Sequence, residues 1–155
     1  MTQLGDDGIL SAPHVMEYPY RRSLGPVLSR FFTGLRDGVI EGNRTASGRV
    51  LVPPMEYDPL TGDDALDEWV AVGPGGTVEG FTWIAAPRAS HPCREPFAFA
   101  LVKLDDADVA FLHVVRAARE SDVRTGMRVT VEWAAERVGS IRDIAGFVPA
   151  EGGAR

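Results

Sequence analysis

Residues 97–133 read FAFALVKLDDADVAFLHVVRAARESDVRTGMRVTVEW, and the fold turns on them. Two runs of β-formers, Phe97–Leu104 and Val109–Val115, flank Asp105-Asp106-Ala107-Asp108, a polar turn. A third run, Arg128–Trp133, alternates Val129, Val131 and Trp133 against Thr130 and Glu132, which gives a strand one apolar face. The longer link Arg116–Gly126 has the composition of a helical turn. Upstream, Thr77–Ile84 reads as a strand followed by a loop through Ala85–Pro96. Downstream, Ile141–Phe147 reads as another, joined by the turn near Val138-Gly139-Ser140. Regular short strands with turns between them argue a small barrel or sandwich. Counted from Thr77 there are five strands with a helical link after the third. That is the layout of an OB barrel, a five-stranded, partly open Greek-key barrel.

The bounds agree. A chain of 155 residues and 16.8 kDa is one domain with appendages. With 45% hydrophobic and 25% charged residues it has the make-up of a folded soluble protein and not of a disordered one. Apolar runs such as Ala98–Val102 and Val109–Leu112 fall far short of the roughly 20 residues that cross a bilayer. Met1–Ala12 carries Asp6 and Asp7 and no basic residue, unlike a secretory signal. The single cysteine, Cys93, excludes an internal disulfide framework, and a reducing cytoplasm is the expected compartment.

Charge narrows the function. Residues 1–76 hold six arginines against eleven acids, and residues 77–149 hold eight arginines and Lys103 against ten acids. Neither part has the basic excess that phosphate-backbone binding demands. An OB module binding single-stranded nucleic acid is the rival reading, since Phe81 with Trp83, and Phe97 with Phe99, could be stacking platforms. Without a basic groove these rings are better read as barrel core.

Before the barrel, residues 1–22 read as an extended arm whose Tyr18-Pro19-Tyr20-Arg21-Arg22 has the composition of a contact surface. It packs either on its own domain or on a partner. Ser23 reads as an N-cap and Pro26 as a first-turn residue; Leu24, Leu28, Phe31 and Leu35 then share one helical face, widened by Val27 and Phe32, and Gly38 stops the helix. Residues 39–66 are turn-rich, with brief strand candidates at Val39-Ile40 and Val50–Val52. The expected organisation is therefore arm 1–22, helix 23–38, turn-rich segment 39–66, barrel 67–149 and tail 150–155.

Catalytic apparatus is sparse. His14 lies in the arm. His91 sits in the loop Ser90-His91-Pro92-Cys93, and His113 shares a strand face with Phe111 and Val115, which suits a structural histidine. Cys93, flanked by Pro92 and Arg94, reads as an incidental thiol rather than a nucleophile. No Ser-His-Asp motif, phosphate loop or dinucleotide fingerprint is present, and Gly73-Pro74-Gly75-Gly76 is a turn. No catalytic residue and no metal ligand is assigned, and a stand-alone hydrolase or lyase is the least supported class.

The order of the features carries a resemblance. An arm precedes the helix Phe31-Phe32-Thr33-Gly34-Leu35-Arg36-Asp37-Gly38. A knuckle-like stretch ending in Pro53-Pro54 follows, and then a barrel containing Thr125-Gly126-Met127-Arg128-Val129. From Tyr18 to Pro149 this resembles the zinc-ribbon/OB-fold proteins of domain-of-unknown-function family 35. Such proteins carry two Cys-x-x-Cys knuckles; the matching positions here are Arg44, Ser47, Asp58 and Thr61, so the spacing is kept and the thiolates are gone. The resemblance therefore implies a degenerate, metal-free ribbon. The alternative is a cation held by Asp58, Asp63 and Asp64. Structural zinc contributes on the order of 10–16 kcal/mol of apparent binding free energy. With nothing inside Gly42–Asp64 to replace it, Met55, Tyr57 and Leu60 are expected to be buried against the helix, the barrel or another chain.

The resemblance also implies a function. Family members look like accessory subunits of thiolase-like acyl-CoA enzymes, among them aldolases that cleave steroid side chains, and they scaffold rather than react. By that likeness this chain binds no cofactor of its own, acyl-CoA is the substrate of the complex, and the partner is a thiolase-fold subunit. Arg88, Arg94, Arg116 and Arg119 are the candidates for CoA phosphate contacts, with solvated surface charge as the alternative. Tyr18, Tyr20, Leu28, Phe31, Phe32 and Tyr57 are the interface candidates, being too many large side chains for one small core.

Overall fold

The structure, a computed structural model, describes residues 3–4, 8, 10–12, 14–20 and 23–150. Asp6, Asp7, Arg21, Arg22 and the tail Glu151–Arg155 lie outside the described residues. The arm is not extended throughout: β1 (Gln3–Leu4) and β2 (Leu10–Ser11) pair as a short antiparallel hairpin, and residues 14–20 follow without regular structure.

Helix α1 spans Gly25–Asp37, close to the expected helix. Its start differs. Gly25 takes a left-handed φ of 71°, so the regular turn begins at Pro26. Leu24 stands at the cap position, with no side-chain cap. Ser23 Oγ instead accepts from the Gly25 amide at 3.3 Å. The end is as expected: Gly38 sits at φ 80°, where a side chain would be strained, and turns its amide onto the last-turn carbonyls. Arg137 Nε adds a bond to the Arg36 carbonyl at 2.9 Å, and a cation at that end also suits the helix dipole.

A small sheet follows, in the order β4-β3-β5, built from β3 (Glu41–Thr45), β4 (Val50–Leu51) and β5 (Ala65–Ala71). A Cβ at Gly42 would stand 2.6 Å from the Leu51 carbonyl oxygen, so only glycine lets β3 and β4 approach this closely. Strand β5 pairs with β3 and not with the barrel. The barrel thus begins at residue 75 rather than 67, after the Gly73-Pro74 turn.

The barrel comprises β6 (Gly75–Ile84), β7 (Phe97–Leu104), β8 (Ala110–Val115), β9 (Arg128–Trp133) and β10 (Ile144–Pro149). It is closed in the order β10-β8-β7-β6-β9, and only the β10–β8 contact is parallel. Ten-residue β6 makes closure possible: it runs along β7 for its length and pairs at its start, Gly75–Thr77, with β9, bending at a bulge between Val78 and Gly80. The helical link is a single 3-10 turn, Glu120–Asp122, where sequence composition places it. This is the five-stranded mixed barrel of an OB-fold.

Period-2 packing fills the interior. Ala98, Ala100, Val102 and Leu104 of β7 are fully buried with Val78, Phe111, Val115, Val129 and Phe147. The β7 aromatics are not barrel core as expected: alternation puts Phe97 and Phe99 on the outer face. There the loop 85–96 folds over them and His91 meets both rings edge-on at 5.9 and 6.2 Å. Phe97 is sealed by that loop. Trp83 of β6 does pack on the core, whereas Phe81 stays partly open.

The three units share one apolar cluster. Phe31 and Leu35 of α1, Val50 and Val52 of the small sheet, and the barrel interior are contiguous. Asp108, in the turn between β7 and β8, stitches sheet to barrel: its Oδ2 accepts from the Val50 amide at 2.7 Å, and its own amide donates to the Val50 carbonyl at 2.9 Å.

Candidate partner-binding face

The arm is where apolar surface is least covered. Val15, Met16, Tyr18 and Tyr20 are each more than two-thirds exposed, and the Tyr18 hydroxyl reaches only Met16 Sδ, at 3.8 Å. The six interface candidates then divide. Tyr18, Tyr20 and Tyr57 are exposed, and Leu28 is half-buried. Phe32 is half-buried against the core. Phe31 is corrected: it is 1% exposed, beneath α1 in the shared core, with its ring edge 5.4 Å from Phe32. A side chain so enclosed cannot meet a partner without undocking the helix. Leu24 and Leu66, outside the six candidates, are also exposed, as is Leu60. Leu24 shares the helical stripe in sequence, but it stands at the cap position.

The knuckle-like segment needs the largest correction. The two turns meet, and a polar cluster holds them. Asp58 is 1% exposed at its centre. Its Oδ2 accepts from Ser47 Oγ at 2.8 Å, its Oδ1 from the Leu60 amide at 2.9 Å, and Arg49 Nη1 lies 3.2 Å away. Thr45 Oγ1 bonds Ser47 Oγ at 2.8 Å. The Leu60 amide leads in holding the Asp58 carboxyl below its ordinary range, helped by Ser47, Thr45 and Arg49, against the opposing effect of burial. A local replacement for a metal therefore exists, contrary to expectation. Met55, Tyr57 and Leu60 need not be buried for the segment to hold, and all three are exposed.

The four matching positions do not fit zinc. Arg44 is bound to Glu68 and to the Gly48 carbonyl, Ser47 and Asp58 are bound to each other, and Thr61 offers only a hydroxyl. The aspartate-cation alternative also fails. Asp58 is committed to Ser47, Arg49 and Leu60, while Asp63 and Asp64 face solvent. Among the described residues no three His, Cys, Asp or Glu side chains are placed to share a metal.

The loops carrying the four candidate CoA arginines leave the same end of the barrel, because Ile84 pairs with Phe97 and Ala98 with Val115. Three of the guanidiniums already have partners. Arg94 donates to the Ala89 carbonyl at 3.1 Å, and Arg119 forks onto Asp122. Arg116 lies 3.0 Å from Glu132 Oε2, an ion pair that is not aligned as a hydrogen bond. Arg88 contributes its backbone amide to His91 Nδ1 at 3.1 Å.

His113 points into the barrel between Phe111 and Phe147, 5.8 and 5.7 Å from their ring centres, and its Nδ1 is buried without a partner. Burial pushes its pKa down, against a smaller opposing pull from the backbone at Ile141 and Val114. The Cys93 thiol is half-buried.

A shallow groove of about 440 Å³ lies between α1 and the start of β3, lined by Ser29, Arg30, Thr33, Asp37 and Glu41. Arg30 crosses it as a clamp, forked onto Glu41 at 3.0 and 2.9 Å and stacked 4.3 Å over Trp69. On the other side of α1 the loop between β9 and β10 presses Gly139 against the Phe32 backbone. Asp143, buried, holds that loop by accepting from the amides of Val138, Gly139 and Ser140.

Comparison with known proteins agrees with this geometry. Residues 69–134 match the family model described as the C-terminal OB-fold domain of ChsH2. A chain of the Ltp2–ChsH2(DUF35) aldolase is similar at a TM-score of 0.58 and 21% identity, covering 83% of this chain and 98% of that one. A DUF35-family protein of unknown function from Sulfolobus solfataricus is similar at a TM-score of 0.57 and 21% identity, covering 70% and 77%. No curated protein matches significantly by sequence. The barrel of this chain therefore has the OB-fold, and it resembles the OB domain of DUF35 proteins.

Proposed function

We propose that this chain is an accessory subunit that docks on a thiolase-fold acyl-CoA enzyme and supports retro-aldol or thiolytic cleavage carried out by that partner. The observation that carries the reading is the arm. Val15, Met16, Tyr18 and Tyr20 are large, apolar or amphipathic, clustered within six residues and uncovered by their own chain. Such residues gain most from burial in a second protein. The likeness to a chain of the Ltp2–ChsH2(DUF35) aldolase supports an aldolase as the kind of partner. The histidines add support: His113 is enclosed by aromatic rings and His91 is spent on packing the 85–96 loop. The arginines at the barrel end, Arg88, Arg94, Arg116 and Arg119, remain the proposed contacts for the CoA phosphates.

The test is co-expression of the chain with its genomic neighbours, followed by affinity purification, identification of what elutes with it and an acyl-CoA cleavage assay. A stable complex, with cleavage activity that the partner lacks alone, supports the proposal. A chain that stays alone, or that cleaves acyl-CoA unaided, refutes it.

Against a nucleic-acid ligand, the outer face of β7 and β8 presents Leu101 opposite Leu112, both exposed, with Lys103 as the cation on that stretch of β7. An oligonucleotide would need a basic track there.

A further inference from the structure

We propose that the chain carries an acid-rimmed apolar docking face, running from the start of α1 onto the second knuckle turn and β5. It receives a protein subunit whose own face is apolar at the centre and rimmed by lysine and arginine. This rests on the accessory-subunit reading and specifies the partner's surface.

Three observations carry it. The pieces are adjacent. A Cβ on Gly25 would lie 3.3 Å from Glu56 Oε1, the Ala65 amide bonds the Glu56 carbonyl at 2.9 Å, and Tyr57 bridges Asp64. Leu24, Met55, Tyr57, Leu60 and Leu66 are the exposed apolar side chains these pieces carry. Beside them β5 is an edge strand of its sheet, a place where a second chain can add backbone hydrogen bonds. The charge is of one sign: residues 56–68 contain six acids and no lysine or arginine. Asp58 and Glu68 are neutralised by Arg49 and Arg44, but Glu56, Asp63 and Asp64 have no ion-pair partner among the described residues.

The charge selects the occupant. An acid rim repels nucleic acid, anionic lipid and the phosphates of CoA. It also opposes face-to-face pairing of two copies of a chain whose net charge is −6. A partner protein with a basic rim gains both steering and register from it.

The experiment uses the co-purified complex. Association kinetics are measured for the wild type, for Tyr57→Ala, for the triple variant Glu56→Lys/Asp63→Lys/Asp64→Lys, and for Leu112→Ser on the barrel's outer face as a control. Circular dichroism confirms that each is folded. The proposal expects wild-type association to slow about tenfold or more between about 50 and 500 mM NaCl. The triple variant should associate about tenfold more slowly at low salt, and Tyr57→Ala should dissociate about tenfold faster. Leu112→Ser should match wild type. A wild-type complex indifferent to Tyr57→Ala and to the triple variant overturns the face while leaving the accessory role standing. Self-association abolished by Tyr57→Ala assigns the face to a second copy and overturns it as well. No wild-type complex at all removes the accessory role and this inference with it.

Discussion

Truncating Phe31 separates a core residue from an interface residue. Phe31 is 1% exposed, packs edge-on against Phe32 and joins α1 to the cluster that contains Val50, Val52 and the barrel interior. Phe31→Ala removes a buried ring from a site whose neighbours are fixed by strands, so the void collapses poorly. The cost should be about 3–5 kcal/mol. In a domain of this size each kcal/mol moves Tm by roughly 2–4 °C, so the melting temperature should fall by about 6–20 °C. Tyr18→Ala and Tyr20→Ala remove side chains three-quarters exposed, and should change stability by no more than about 0.5 kcal/mol. Differential scanning calorimetry on the isolated chain reads all three. The expected ranking is a large loss for Phe31→Ala and none for the tyrosines, with partner binding showing the reverse among variants that remain folded. If Phe31→Ala melts within about 2 °C of wild type, the helix is not anchored as described and the reasoning fails.

Further outcomes follow from the same contacts. Because burial lowers the pKa of His113, its contribution to stability is whole above the ordinary histidine value of 6.5 and is lost as pH falls below it, since the unfolded chain then takes up a proton that the barrel refuses. The slope should not exceed about 1.4 kcal/mol per pH unit, and His113→Phe should flatten it just below about pH 6.5; an unchanged slope in denaturant titrations refutes the assignment. Asp58→Asn should raise amide exchange across residues 44–63 while leaving β7 protected, as read by hydrogen-exchange mass spectrometry; unchanged protection there would mean that the polar cluster does not hold the turns. With lowered pKa values, Asp58 and Asp143 stabilise the fold above about pH 4 and lose that contribution as pH falls through the carboxylate range, so wild type should show a second, steeper loss there. The variant carrying cysteine at 44, 47, 58 and 61 should bind one zinc per chain by elemental analysis, because Ser47 and Asp58 already meet across the two turns. A folded variant without zinc would show that the turns are not set as knuckles.

The barrel was legible because its signals are local. Alternation in Val129, Val131 and Trp133, the Asp105–Asp108 turn and the single helical turn after β8 each determine structure within a few residues. What could not be read depends on neighbours far along the chain. Phe31 and Leu28 share one helical stripe in sequence, yet one is sealed and the other half-open, because the depth of burial is set by where Val50 and Val52 lie. Phe97 and Phe99 alternate with alanines, and alternation alone cannot say which set faces inward. The small alanines took the crowded barrel interior, and the rings were left for the 85–96 loop to cover. The pairing of β5 with β3 also needed the fold, since nothing in Ala65–Ala71 distinguishes a strand of the small sheet from a sixth barrel strand.

The Asp58 cluster shows why losing a metal site need not cost the structure around it. A tetrahedral thiolate site supplies four links between two turns through one ion. Here Ser47 and Arg49 reach across to one carboxylate, the Leu60 amide fixes that carboxylate within its own turn, and Arg49 brings the compensating charge that a buried aspartate requires. The cluster had a sequence signal that went unused. Asp58 and Ser47 occupy the two inward-facing positions of opposed turns, and a carboxylate beside a hydroxyl there is a hydrogen-bond pair before it is a failed ligand set. Once the turns are locked from within, Tyr57 and Leu60 are released from any structural duty on the inner side. Their exposure then has a physical reason: they stand outward on a turn locked from within, which lowers the entropy cost of presenting them to another protein.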